Sequence, residues 1–121
     1  MIDEFFKYNT KTGLISYNFH GIDYEIQISN IKSAVVNIDK GIILLAVDDN
    51  GHEILVGYSI DGERLFSNKI PDHYKFWYLS PSDLRIACTE KDEFADQSGR
   101  SGWWFKINIA NGEMIKDSWA Y

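Results

Sequence analysis

The chain has 121 residues, 12 of them Lys or Arg and 18 Asp or Glu, for a formal charge of −6. A composition 45% hydrophobic and 15% aromatic is too apolar for a disordered segment. A chain of this length hides roughly 65–70% of its extended surface on folding, enough for one domain without metal or disulfide staples. The acidic balance removes the attraction behind most non-specific binding to nucleic acid or anionic membrane and leaves a basic protein partner open.

The lone Cys88 excludes an intrachain disulfide, and its setting in Ile86-Ala87-Cys88 reads as a buried, inert thiol in a reducing compartment. The N-terminus has no basic stretch leading into a long apolar one, and no run approaches the roughly 18 apolar residues of a membrane span. A soluble, cytoplasmic protein is the expectation.

Turn signals punctuate the chain at Thr12-Gly13, His20-Gly21, Lys40-Gly41, Asn50-Gly51, Asp61-Gly62, Gly99 to Gly102 and Asn111-Gly112. Asn-Gly and Asp-Gly tolerate the positive φ of tight hairpins. Between these turns lie short runs rich in Val, Ile, Phe, Tyr and Trp, of strand length. They place strands near 4–8, 14–19, 23–29, 34–38, 42–48, 53–59, 64–69, 75–79, 84–89, 103–109 and 113–119, with one of the weaker ones open to being a loop. Strict alternation in Asp23-Tyr24-Glu25-Ile26-Gln27-Ile28-Ser29 predicts an outer strand with one wet face. Ile42-Ile43-Leu44-Leu45-Ala46-Val47 is apolar throughout, which predicts a strand covered on both faces and hence stacked sheets.

The turns also repeat. Gly13 to Gly62 is 49 residues and Gly62 to Gly112 is 50, within the range of propeller blades. Residues 36–46 correspond to 77–87, so each unit is four antiparallel strands joined by tight turns. Leu79-Ser80-Pro81-Ser82-Asp83-Leu84-Arg85-Ile86-Ala87 resembles the strand-turn-strand signature of WD40-like and TolB-like β-propellers, with Ser82-Asp83 in place of Asp-Gly and with no Gly-His or Trp-Asp pair. The resemblance implies an all-β, single-domain chain of four-stranded blade-like sheets: a partial blade over about 1–30, a blade over about 33–70 and another over about 74–121. A closed propeller needs at least four blades, about 160 residues, so this would be an incomplete, half propeller; a β-sandwich is the alternative.

No pattern points to catalysis. His20, His52 and His73 flank turns without ligand spacing, Asp48-Asp49-Asn50-Gly51 lacks the rest of a calcium loop, and no Gly-x-Ser-x-Gly elbow is present. No cofactor or metal is expected. The segment 90–102 is the longest interruption and carries four acids, two bases and Phe94, a composition suited to a contact loop for a basic partner. Alternation places Trp103, Phe105, Ile107 and Ile109 on one face and Trp104, Lys106 and Asn108 on the other, which makes Trp104 the interface candidate on a terminal blade.

The profile of a small, acidic, non-catalytic β protein resembles that of bacterial immunity proteins, which neutralise a toxin domain such as a basic nuclease. That resemblance implies a heterodimer in which Asp92, Glu93, Asp96 and Trp104 contact the toxin, with Asp48 and Asp49 as further candidates and Tyr24 and Glu25 behind them. Other readings are an oligomeric, propeller-like carbohydrate-binding module and a structural or regulatory subunit.

Overall fold

The computed structural model describes residues 6–91 and 102–120. Eleven strands run through them: β1 (Lys7–Asn9), β2 (Leu14–Phe19), β3 (Ile22–Gln27), β4 (Ile31–Asn37), β5 (Ile42–Asp49), β6 (His52–Ser59), β7 (Arg64–Lys69), β8 (Tyr74–Ser80), β9 (Arg85–Glu90), β10 (Gly102–Ile107) and β11 (Met114–Trp119). Every anticipated run forms a strand, and no helix occurs among the described residues, so none there is long and apolar enough to cross a membrane. The Asn-Gly signal works as its chemistry dictates: Asn50 and Gly51 take φ of 54° and 88°, and the Asp48 carboxylate accepts the Gly51 N–H at 2.9 Å.

Most strand boundaries shift by one to three residues from the expected ones, β3 ending at Gln27 and β10 at Ile107, and two of the shifts have a visible cause. Strand β4 begins three residues early because Ile31 is buried opposite Val47, across a bulge before Ser33. Strand β9 begins one residue late because Leu84 closes the preceding turn at φ 51°. Residues 4 and 5 of the first anticipated strand lie outside the described residues.

The strands form three antiparallel sheets in chain order, β1-β2-β3, β4-β5-β6-β7 and β8-β9-β10-β11. The middle sheet is packed on both faces. Ile42, Leu44, Ala46 and Leu55 meet Leu79, Ile86, Cys88, Phe105 and Ile107 of the last sheet. Ile43, Leu45, Val47 and Val56, one step along the same strands, meet Ile15, Tyr17 and Ile26 of the first. Alternation along β5 and β6 thus feeds two cores, and each fully buried aliphatic side chain contributes roughly 1.5–3 kcal/mol.

Polar ties fix how the sheets sit. The Tyr17 hydroxyl donates to the Ile60 carbonyl at 2.7 Å, joining the first sheet to the β6–β7 turn, and burial, with Tyr24 and Asp61 nearby, pushes its pKa up to about 12. Asn37 Nδ2 donates to the Pro81 carbonyl at 2.7 Å, drawing β4 and the β8–β9 turn together. Asn68 Nδ2 donates to the Asn111 carbonyl at 2.8 Å. Beside it, the Phe66 ring is held between two glycines: a Cβ at Gly57 would come within 2.4 Å of the ring and one at Gly112 within 2.3 Å.

Two outcomes follow from this packing. Gly57→Ala should destabilise the fold by about 1–3 kcal/mol, read as a lower denaturant midpoint at unchanged slope, because the buried ring has nowhere to retreat. Cys88, fully buried and with its pKa raised to about 12 by burial and by the Glu53 charge, should resist a thiol reagent at pH 8 until denaturant unfolds the chain.

Candidate functional site

A stack of three sheets has two outer faces, and here they differ in kind. Outside the first sheet, Leu14 pairs with Gln27, Ser16 with Glu25 and Asn18 with Asp23; Asn18 Nδ2 also donates to the Asp23 carboxylate at 2.8 Å. Apart from Leu14 that surface is polar and suited to water.

The outer face of the last sheet is built otherwise. Matching strand registers shows what it inherits from the repeat. In the middle sheet, the positions facing forward pair as Leu44 with Gly57, Ala46 with Leu55, and Gly57 with Phe66. The corresponding pairs in the last sheet are Arg85 with Lys106, Ala87 with Trp104, and Lys106 with Ile115. Thus Leu44, Ala46, Leu55 and Phe66, all buried in the core, have Arg85, Ala87, Trp104 and Ile115 as counterparts on a face that no sheet covers. Three of the four remain apolar.

A bulge between Phe76 and Tyr78 adds to this surface. Phe76 and Leu79 both point into the core, and the extra residue turns Trp77 and Tyr78 outward together, 48% and 55% exposed. Tyr78 meets Trp104 edge-on, with ring centroids 6.2 Å apart. Trp77, Tyr78, Ala87, Trp104 and Ala120 line a hollow of about 110 Å³, the size of one apolar side chain.

Charged groups border the aromatic strip. The Arg85 guanidinium lies 4.7 Å from the Trp104 ring centre and pairs with Asp83 at 2.6 Å and Asp117 at 3.2 Å. Lys106 reaches Asp117 at 3.7 Å, and the Ser80 hydroxyl donates to Asp83. The Ser80 hydrogen bond, then the Arg85 contact, hold the Asp83 carboxyl below the usual carboxylate range, and Asp83 and Asp117 keep Arg85 firmly cationic. Two bases and two acids make this edge nearly neutral.

The remaining candidates fall elsewhere. Trp103 faces inward as alternation predicts: it stacks on Trp119 at 3.7 Å, lies under Lys116 at 3.8 Å and donates its indole N–H to Glu90 at 3.2 Å. Asp48 and Asp49 end β5 in the middle sheet, on the opposite side of the last sheet from Trp104, and the Asp48 carboxylate serves its own turn. Asp48 also lines a cleft of about 560 Å³ between the middle and last sheets, shared with Lys32, Lys69, Lys75 and Lys91. Glu53 anchors that cleft, bound to Lys32 at 2.6 Å and to the Phe76 N–H at 2.9 Å. Tyr24 stacks inward on Tyr17 at 5.1 Å, and Glu25 sits on the polar end face. Asp92, Glu93 and Asp96 lie outside the described residues. Among the described residues, no three His, Cys, Asp or Glu side chains converge where a metal could sit.

The placement of Trp77 and Tyr78 on one face, and the part played by Asp117, escape sequence reasoning. Simple alternation puts Trp77 and Tyr78 on opposite faces, and neither the bulge beside them nor the one that seats Asp117 has a glycine to announce it. Comparison with family models, curated proteins and solved structures finds no match for the chain.

Because the Asp83 carboxyl titrates lower in the folded chain than in the unfolded one, its contribution to stability is present above the usual Asp range and is lost as pH falls through the folded value. Asp83→Asn should therefore be less stable than the parent at neutral pH, and the difference should vanish in acid, as measured by denaturant midpoints across a pH series.

Proposed function

We propose that the protein acts by binding another protein, and that its partner is a basic bacterial toxin domain such as a nuclease, which it neutralises as an immunity protein. The observation that carries this reading is the uncovered, packing-competent face of the last sheet, with Trp104 at its centre beside Tyr78, Trp77 and Ala87. Interfaces draw their energy from such buried aromatic and Arg anchors, and a contiguous apolar face on a polar molecule marks an interaction site.

Charge supports the partner's sign. The described residues hold thirteen acids and eleven bases, so most of the excess of −6 belongs to the N-terminal five residues and to residues 92–101. The latter segment joins β9 to β10, the two strands that carry Ala87 and Trp104. Acids there would steer a basic partner toward the aromatic face and occupy its phosphate-binding cleft.

In the same reading the three successive antiparallel sheets are blades of an incomplete β-propeller. The approach of β4 to β8 and to the turn after it, through the Asn37–Pro81 hydrogen bond, fits strands running side by side near a propeller axis. The stack then opens forward, where a fourth blade would pack, and the partner takes that place.

The test starts from the adjacent gene, which is expected to encode a toxin-like domain, and co-expresses that domain with this chain. A stable complex that abolishes toxin activity is expected. Trp104→Ala should weaken it about 30-fold or more, the effect of losing a hot-spot side chain. Charge reversal at Asp92 and Glu93 should slow association and flatten its salt dependence. A neighbouring gene for an unrelated metabolic enzyme, together with no capture of a basic partner from the same organism, would overturn the proposal.

A further inference from the structure

The same outer face bears on how the chain behaves without a partner. We infer that in the absence of its partner the protein pairs with a second copy of itself, the two last sheets packing face to face about a twofold axis. This goes beyond toxin binding while sharing the surface on which that reading rests.

The faces themselves select this arrangement. Burying the polar end face against an aromatic strip would desolvate the Asp23 and Glu25 carboxylates with only the Asn18 amide hydrogen bond to Asp23 to offset the cost, which disfavours a head-to-tail ring or fibre. The last sheet offers what a self-complementary contact needs. Trp104 lies at its middle beside the already buried Ala87; Tyr78 and Ile115 are 55% and 52% exposed, and the hollow lined by Trp77, Tyr78 and Trp104 can receive an apolar side chain from the mate. Its charges are matched in place, since Arg85 and Lys106 pair with Asp83 and Asp117. The strip itself therefore adds no net charge to the contact, and the repulsion between two acidic copies, which comes largely from residues 1–5 and 92–101, is screened by salt.

The area sets the strength. Four strands about 4.8 Å apart and about six residues long present about 400 Å² in projection per copy. With side-chain relief, two such faces reach about 1,200 Å² of buried surface, the lower end of specific interfaces, where weak and transient contacts sit, and we therefore place the dimer in the micromolar range, displaceable by a tighter partner.

Sedimentation velocity on the full chain from about 1 µM to about 500 µM tests this directly, a range that brackets micromolar affinity. The expected result is a concentration-dependent shift from monomer to dimer and no larger species. Tyr78→Glu and Ile115→Glu, at positions exposed enough to leave the core intact, should each weaken the dimer at least tenfold, while Glu25→Ala on the other end face should leave it unchanged. In the unmodified protein, the indole resonance of Trp104 should move on dilution while that of the inward-facing Trp103 stays fixed, a readout that needs no variant. A monomer at every concentration, a dimer that survives both Glu substitutions, or open-ended growth would overturn the inference. A strict monomer that still binds the toxin through Trp104 removes the self-pairing and leaves the proposed function standing. A dimer that captures no toxin does the reverse.

Discussion

The structure depends on the need to bury β5 on both sides. Ile42 through Val47 presents six consecutive apolar side chains, and in an extended strand these must project alternately up and down. A single sheet with one wet face would leave three of them in water. Two further sheets are required, and the chain supplies one before and one after. Ile43, Leu45 and Val47 find Ile15, Tyr17 and Ile26, while Ile42, Leu44 and Ala46 find Ile86, Cys88 and Phe105. The other ties, such as the Phe66 ring between Gly57 and Gly112 or the Tyr17 hydroxyl on Ile60, set the spacing of sheets whose stacking β5 already demands.

Stacking of this kind has a direction. The first sheet ends it with Ser, Asn, Asp, Glu and Gln on the exterior, whereas the last sheet repeats the forward-packing pattern of the middle one with two substitutions of character: Arg85 for Leu44 and Lys106 for Gly57. Those two bases, matched by Asp83 and Asp117, keep one edge of the face hydrated while Ala87, Trp104 and Ile115 keep the remainder able to pack. Arg85 also covers one side of the Trp104 ring, so the indole is oriented before anything docks on it.

Much of the fold was legible in the chain. Glycine-based turns delimit the strands because positive φ is costly elsewhere, and the difference between alternating β3 and all-apolar β5 separates an outer strand from a covered one. The inward turn of Trp103 and the outward turn of Trp104 follow from alternation alone. The limits of that logic are visible at the bulges. One extra residue between Phe76 and Tyr78 reverses the phase of β8, so Trp77 and Tyr78 join Trp104 where a strict period of two would separate them. The edge cluster was equally hidden, since Arg85 and Asp117 are 32 residues apart and meet only because β9, β10 and β11 are neighbours in one sheet.

By itself the sequence determined that this is an all-β chain of short strands and tight hairpins, with one run that demands cover on both faces and one lone thiol in an apolar setting. These are consequences of backbone sterics and of side-chain periodicity, which act within a few residues. Only the tertiary structure decided that Asp48 and Asp49 stand apart from Trp104, that Trp77 and Tyr78 lie with it, and that one end of the stack is finished in polar side chains while the other remains apolar. Those outcomes rest on register, bulges and the order in which sheets stack, and such long-range pairings leave no local trace in the residues that make them.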